Sequence, residues 1–125
     1  MPFGEALSKF IHDFLSAKYF SCKTCSEVSE SKVRLGKSIV LDTQIFFDIN
    51  NIKELSFAEL PEKLNFDNEY ILAGAVGYVP NHFIGFCRSA SGTWAKCDDM
   101  LHKKEQINPK TTSARIHMLV YVVTG

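Results

Sequence analysis

YILAGAVGYVPNHFIGFCRSASGTWAKCDD, residues 70–99, decides how this chain is read. Tyr70–Val79 is apolar, contains glycine and has the length of a strand rather than a helix. Pro80-Asn81 marks a turn, and His82-Phe83-Ile84-Gly85-Phe86 opens a second strand. Ser89-Ala-Ser-Gly92 is a hairpin turn before a third short strand, Thr93–Cys97, which Asp98-Asp99 close. Short connections of this kind join antiparallel neighbours.

Downstream, His102–Ser113 is polar, holds Pro109 and reads as a loop, with Lys103-Lys104 solvated in it; Ala114–Val123 is a final strand. Upstream, Glu54–Asn68 reads as irregular, because Pro61 argues against a regular element through it. Lys37–Ile49 carries Ile39-Val40-Leu41 and Ile45-Phe46-Phe47, a dense apolar run suited to a buried strand and ended by Asn50-Asn51. Ser26–Lys32 is a solvated turn or the approach to a hairpin, preceded by Cys22-Lys-Thr-Cys25. At the front, apolar residues at 7, 10, 11, 14 and 15 paint one stripe on a helix spanning about Gly4 to Lys18, with Lys9, His12 and Asp13 off it. Trp94, Phe46, Phe47, Phe10 and Phe14 are core candidates. One helix followed by mostly antiparallel strands is an α+β layer arrangement.

Composition limits the partners. A chain of 125 residues fits one domain, and neither an internal repeat nor a domain-scale linker interrupts it. With 46% apolar and 22% charged residues, and 14 basic against 14 acidic side chains, no bulk attraction to nucleic acid or an anionic membrane is expected. The longest strongly apolar stretch, Met118–Val123, is too short to cross a bilayer, and MPFGEALSKF lacks the features of a signal peptide. An intracellular, reducing setting, cytoplasm or nucleus, is the expectation. There the four cysteines are thiols or metal ligands rather than disulfides.

The chemistry-bearing pair is His82 and Asp98. A thiol protease needs an imidazole to accept the nucleophile's proton and a carboxylate or amide to hold that ring in the right tautomer. Residues on neighbouring strands of a hairpin can meet across a sheet, but spacing alone is weak evidence. Cys22 and Cys25 have half of a tetrahedral zinc site, or are two thiols at a turn. Cys87 reads most simply as a small buried apolar residue, with a nucleophilic role as the sharper alternative. His12 is solvated on its helix, and His102 and His117 have no motif around them.

The surrounding words add more. Tyr70-Ile-Leu-Ala-Gly-Ala-Val-Gly-Tyr78 with Asn81-His82-Phe83-Ile84-Gly85-Phe86 resembles the stretch leading into the His box of the ubiquitin-specific proteases. Gly92-Thr-Trp94-Ala-Lys-Cys97-Asp98-Asp99 resembles their Gly-x-Trp-x-x-hydrophobic-Asp-Asp segment, and Ala114–Tyr121 their closing strand. The order helix, Cys-x-x-Cys, charged stretch and apolar strand is similar to the second half of the family's fingers region. This resemblance implies the C-terminal half of a papain-like thiol isopeptidase: one partial catalytic domain, with residues 1–49 fingers-like, 50–69 a linker and 70–125 the His-box sheet. It implies His82 as general base, Asp98 as the group orienting it, Asp99 as a supporting carboxylate, Trp94 as a packing residue under the hairpin and Phe83 as the aromatic after the His.

The implied reaction is hydrolysis after the C-terminal glycine of ubiquitin or a ubiquitin-like modifier, with no cofactor required and a structural zinc in the full family domain. The family's Cys box, Asn-x-Gly-Asn-Thr-Cys, is nowhere in the chain. The resemblance therefore implies a fold entered part-way, inactive alone. Asn81 stands where the family usually has Gly, and Cys97 where it has Phe. Cys97-Asp98-Asp99 and Ile116-His117 also resemble the ubiquitin-specific-protease-like SUMO isopeptidase. Three expectations stay open: a piece of an active isopeptidase, a non-catalytic ubiquitin- or SUMO-binding pseudo-protease, and a folding-incompetent relic.

Overall fold

The computed structural model describes residues 3–16, 18–21, 23–25, 27–31, 34–44, 54–79, 82–98 and 103–124. The turn expected at Pro80-Asn81, the core candidates Phe46 and Phe47, the strand end at Asn50-Asn51, and Cys22, Asp99 and His102 lie outside the described residues. The chain divides into two compact units, Met1–Gly36 and Lys37–Gly125.

The first unit holds helix α1 (Phe3–Leu15) and a hairpin of β1 (Lys18–Ser21) and β2 (Val28–Ser31), with Lys18 opposite Ser31 and Ser21 opposite Val28. The helix stops three residues short of Lys18. Ser16 closes it, its amide donating to the Asp13 carbonyl and its hydroxyl to the His12 carbonyl. Phe3, Leu7 and Ile11, four residues apart, form the buried line. Phe10 and Phe14 are 43% and 54% exposed, which corrects their reading as core residues. Phe10 sits one position before Ile11, about 100° around the helix from the buried line. His12 is exposed, as expected.

The second unit is an antiparallel sheet of eight strands: β3 (Ser38–Asp42), β4 (Leu55–Ser56), β5 (Lys63–Phe66), β6 (Asn68–Val79), β7 (His82–Arg88), β8 (Trp94–Asp98), β9 (Lys103–Ile107) and β10 (Ser113–Val123). The order is β3-β10-β6-β7-β8-β9, with β4 pairing β10 and β5 pairing β6. Among the described residues, one helix and a mostly antiparallel sheet make the class α+β.

Residues 54–68 are less irregular than expected. β4, a single 3-10 turn at Phe57–Glu59 and β5 fill most of them, and Pro61 falls between the turn and β5, where no ladder bond is asked of it. Nor is 102–113 all loop. Lys103–Ile107 is the edge strand β9, paired from Trp94↔Ile107 to Asp98↔Lys103. Charged residues suit an exposed edge. β3 buries Ile39 but leaves Val40 60% exposed, so only one of its faces is covered.

Alternation builds the core. On the covered face lie Tyr70, Leu72 and Ala75 of β6, Ile84 and Phe86 of β7, Trp94 of β8, and Ile116, Leu119 and Tyr121 of β10. The 3-10 turn caps them: the Phe57 ring lies 4.6 Å from Phe86 and 4.9 Å from Trp94, both tilted. Gly77 makes room for this packing, since a Cβ there would stand 2.9 Å from the Phe86 ring and 3.3 Å from the Ala114 Cβ.

Candidate functional site

His82 is the first residue of β7, opposite Val79, and is half-buried. Strand β7 pairs β8 from Arg88↔Trp94 to Gly85↔Cys97. β7 begins at His82 and β8 ends at Asp98, so the two sequence-derived positions lie at the same end of this antiparallel pair. Trp94 is buried under the hairpin, as expected.

The same end carries a device the sequence did not reveal. The pairing of β10 with β6 slips between Ile116↔Gly77 and Met118↔Val76, leaving His117 as a bulge. Thr43, fully buried, locks it: its amide donates to the His117 carbonyl at 3.0 Å and its hydroxyl to the Ile116 carbonyl at 2.6 Å. The bulge turns the His117 ring toward Tyr78 (5.3 Å) and Phe83 (5.2 Å), which are themselves 5.1 Å apart. His117 Nε2 is buried with no hydrogen-bond partner among the described residues. The slip of register that places this second imidazole comes from strand pairing, which no local motif reports. Phe83, 56% exposed, faces this cluster.

Cys87 is exposed, not buried, and lies on the opposite face of β7 from Ile84 and Phe86. It lies five positions along β7 from His82, so strand alternation turns the two side chains to opposite faces, which argues against the nucleophilic alternative. Cys25 is exposed in the turn between β1 and β2, while Cys22 and Asp99 are outside the described residues. Among the described residues no cluster of three or more His, Cys, Asp or Glu side chains is placed to hold a metal ion, and no helix is long and apolar enough to cross a membrane.

No family model matches the sequence. A 120.7 kDa protein in the NOF-FB transposable element of Drosophila melanogaster is 26% identical over 131 residues, which is 94% of this chain and 12% of that protein. Among solved structures, the SAGA Ubp8/Sgf11/Sus1/Sgf73 DUB (deubiquitinase) module matches with a TM-score of 0.60 at 17% identity. The same module bound to monoubiquitin gives 0.60, and bound to ubiquitin aldehyde 0.51, both at 17% identity. The likeness is one of fold. In each case 95% of this chain and 33% of the matched chain are covered. The chain therefore spans about a third of the structures it resembles and 12% of the transposon protein.

Proposed function

We propose that this chain is the His/Asp part of a thiol-dependent isopeptidase, the C-terminal half of a papain-like catalytic domain, acting after the C-terminal glycine of ubiquitin or a ubiquitin-like modifier such as SUMO. The observation that carries the reading is that β7 begins at His82 and β8 ends at Asp98, which sets both positions at one end of the same antiparallel pair. The fold likeness to a deubiquitinase module solved with ubiquitin agrees with it.

In this reading His82 accepts the proton of a cysteine thiol supplied by sequence beyond these residues. The thiolate attacks the glycine carbonyl carbon, and the substrate lysine amine leaves with the proton that His82 returns. Water, deprotonated in turn by His82, then hydrolyses the thioester and frees the modifier and the thiol. Asp98 holds the imidazole tautomer throughout, with Asp99 in support. Cys22 and Cys25 would give two of four thiolates to a structural zinc, the other two coming from outside this chain. The action belongs in cytoplasm or nucleus.

The test is hydrolysis of fluorogenic ubiquitin and SUMO C-terminal amides by the protein that carries this chain. His82→Ala is expected to lower kcat by about 10³-fold or more, and Asp98→Asn to lower it with little change in KM. Unchanged turnover in both variants sinks the reading.

A second reading is a pseudo-protease that binds the modifier without cutting it. The 125-residue chain would then shift the amide resonances of ubiquitin or SUMO, and His82→Ala would leave that binding intact.

A further inference from the structure

The outer, exposed face of the sheet carries two cysteines whose sulfurs lie 3.6 Å apart, Cys87 on β7 and Cys97 on β8. No disulfide joins them. They are not opposite one another: Cys87 faces Ala95 and Cys97 faces Gly85, so the two are diagonal across the pair of strands. This relation decides what the pair can do. Diagonal neighbours stand about 7–8 Å apart at Cα, at or beyond the roughly 7 Å limit for a disulfide, whose sulfurs must also close to about 2.05 Å. Two sulfurs bound to one tetrahedral zinc-like ion at about 2.3 Å are separated by about 3.8 Å. The observed spacing is that of a chelate edge and needs no movement of backbone.

In register, Gly74 and Ala95 flank Cys87, while Gly85 and Lys104 flank Cys97, so only small residues stand beside Cys87 and one long, exposed side chain beside Cys97. Cys87 is exposed and Cys97 half-buried, so an ion in solution can reach the pair.

We infer that Cys87 and Cys97 form a two-thiolate site for a single thiophilic d¹⁰ cation, Zn²⁺ or Cd²⁺, separate from the Cys22/Cys25 pair. Binding exchanges two thiol protons for the ion: M²⁺ plus two S–H gives the dithiolate complex and two H⁺. No oxidant takes part. Affinity therefore falls with acid, by up to about a hundredfold per pH unit below the thiol pKa values. The bound ion would tie β7 to β8, the strands that carry His82 and Asp98, from the face opposite Ile84.

The experiment is a Cd²⁺ titration of the phosphine-reduced, chelator-treated chain, followed by the sulfur-to-metal charge-transfer band and by native mass. In the Cys22→Ser/Cys25→Ser background one ion per chain and the full band are expected, and adding Cys87→Ser or Cys97→Ser is expected to abolish the band. A band that survives either substitution, or that appears only in a dimer of chains, overturns the site. Should the background variant fail to fold, alkylation mapping on the unsubstituted chain decides. Cd²⁺ must protect Cys87 and Cys97 together, and alkylation of the two at the metal-free rate overturns the inference.

Discussion

Tyr121 is fully buried in β10, and its hydroxyl donates to the Pro61 carbonyl at 2.7 Å. Burial pushes this phenol well above the ordinary tyrosine range, and the Arg88 guanidinium offsets only part of that. The sign follows. An acid harder to ionise when folded contributes stability fully below the unfolded value, near 10, and loses it as pH rises beyond. Tyr121→Phe is expected to cost about 1–2 kcal/mol at neutral pH, for the lost hydrogen bond and the orphaned carbonyl. It should also flatten the loss of stability above about pH 10. Urea melts of both proteins across that range measure both effects. Gly77 carries a different constraint. A methyl group there meets the buried Phe86 ring at 2.9 Å, so Gly77→Ala is expected to destabilise by about 1–3 kcal/mol, read in the same melts.

Among the elements, the bulge in β10 rests on Thr43. Thr43→Val keeps the shape but leaves the Ile116 carbonyl without its 2.6 Å donor, at an expected cost of about 1–2 kcal/mol. Chemical shifts of Tyr78, Phe83 and His117 should move with it, and unchanged shifts would mean that the bulge holds without Thr43. The bulge also marks where the sequence stopped being readable. Strands β6, β7, β8 and β10 were legible because apolar runs, glycine and turn residues punctuate them. Gly92, at φ 90°, sits in the turn that Ser89–Gly92 announced. Strands β2 and β9 were not legible. Val28-Ser-Glu-Ser and Lys103-Lys-Glu-Gln-Ile lack the alternation that marks a half-buried strand, and backbone pairing alone defines them. The start of β7 at His82 was legible from the Pro80-Asn81 word before it. His117 and the Cys87/Cys97 pair arise from register, and register is a relation between strands.

At the scale of the whole molecule, the sheet has one dry face and one wet one. On the wet face Val40, Met118 and Val122 are exposed, and in register Val40 meets Val120 and Met118 meets Val76. An exposed apolar patch of this kind is expected to lower solubility. Val40→Lys with Met118→Lys is expected to reduce concentration-dependent light scattering without lowering the melting temperature by more than a few degrees, and an unchanged scattering profile would clear the patch of blame. The sheet order has another consequence, in time rather than space. Strands β3, β4 and β6 come early in the chain, yet β3 and β4 reach β6 only through β10, which comes after all of them. On a ribosome those earlier strands wait with open edges until residues 113–123 emerge. The sheet then closes late, through contacts distant in sequence, which makes folding slow and the nascent chain a client for chaperones that shield strand edges.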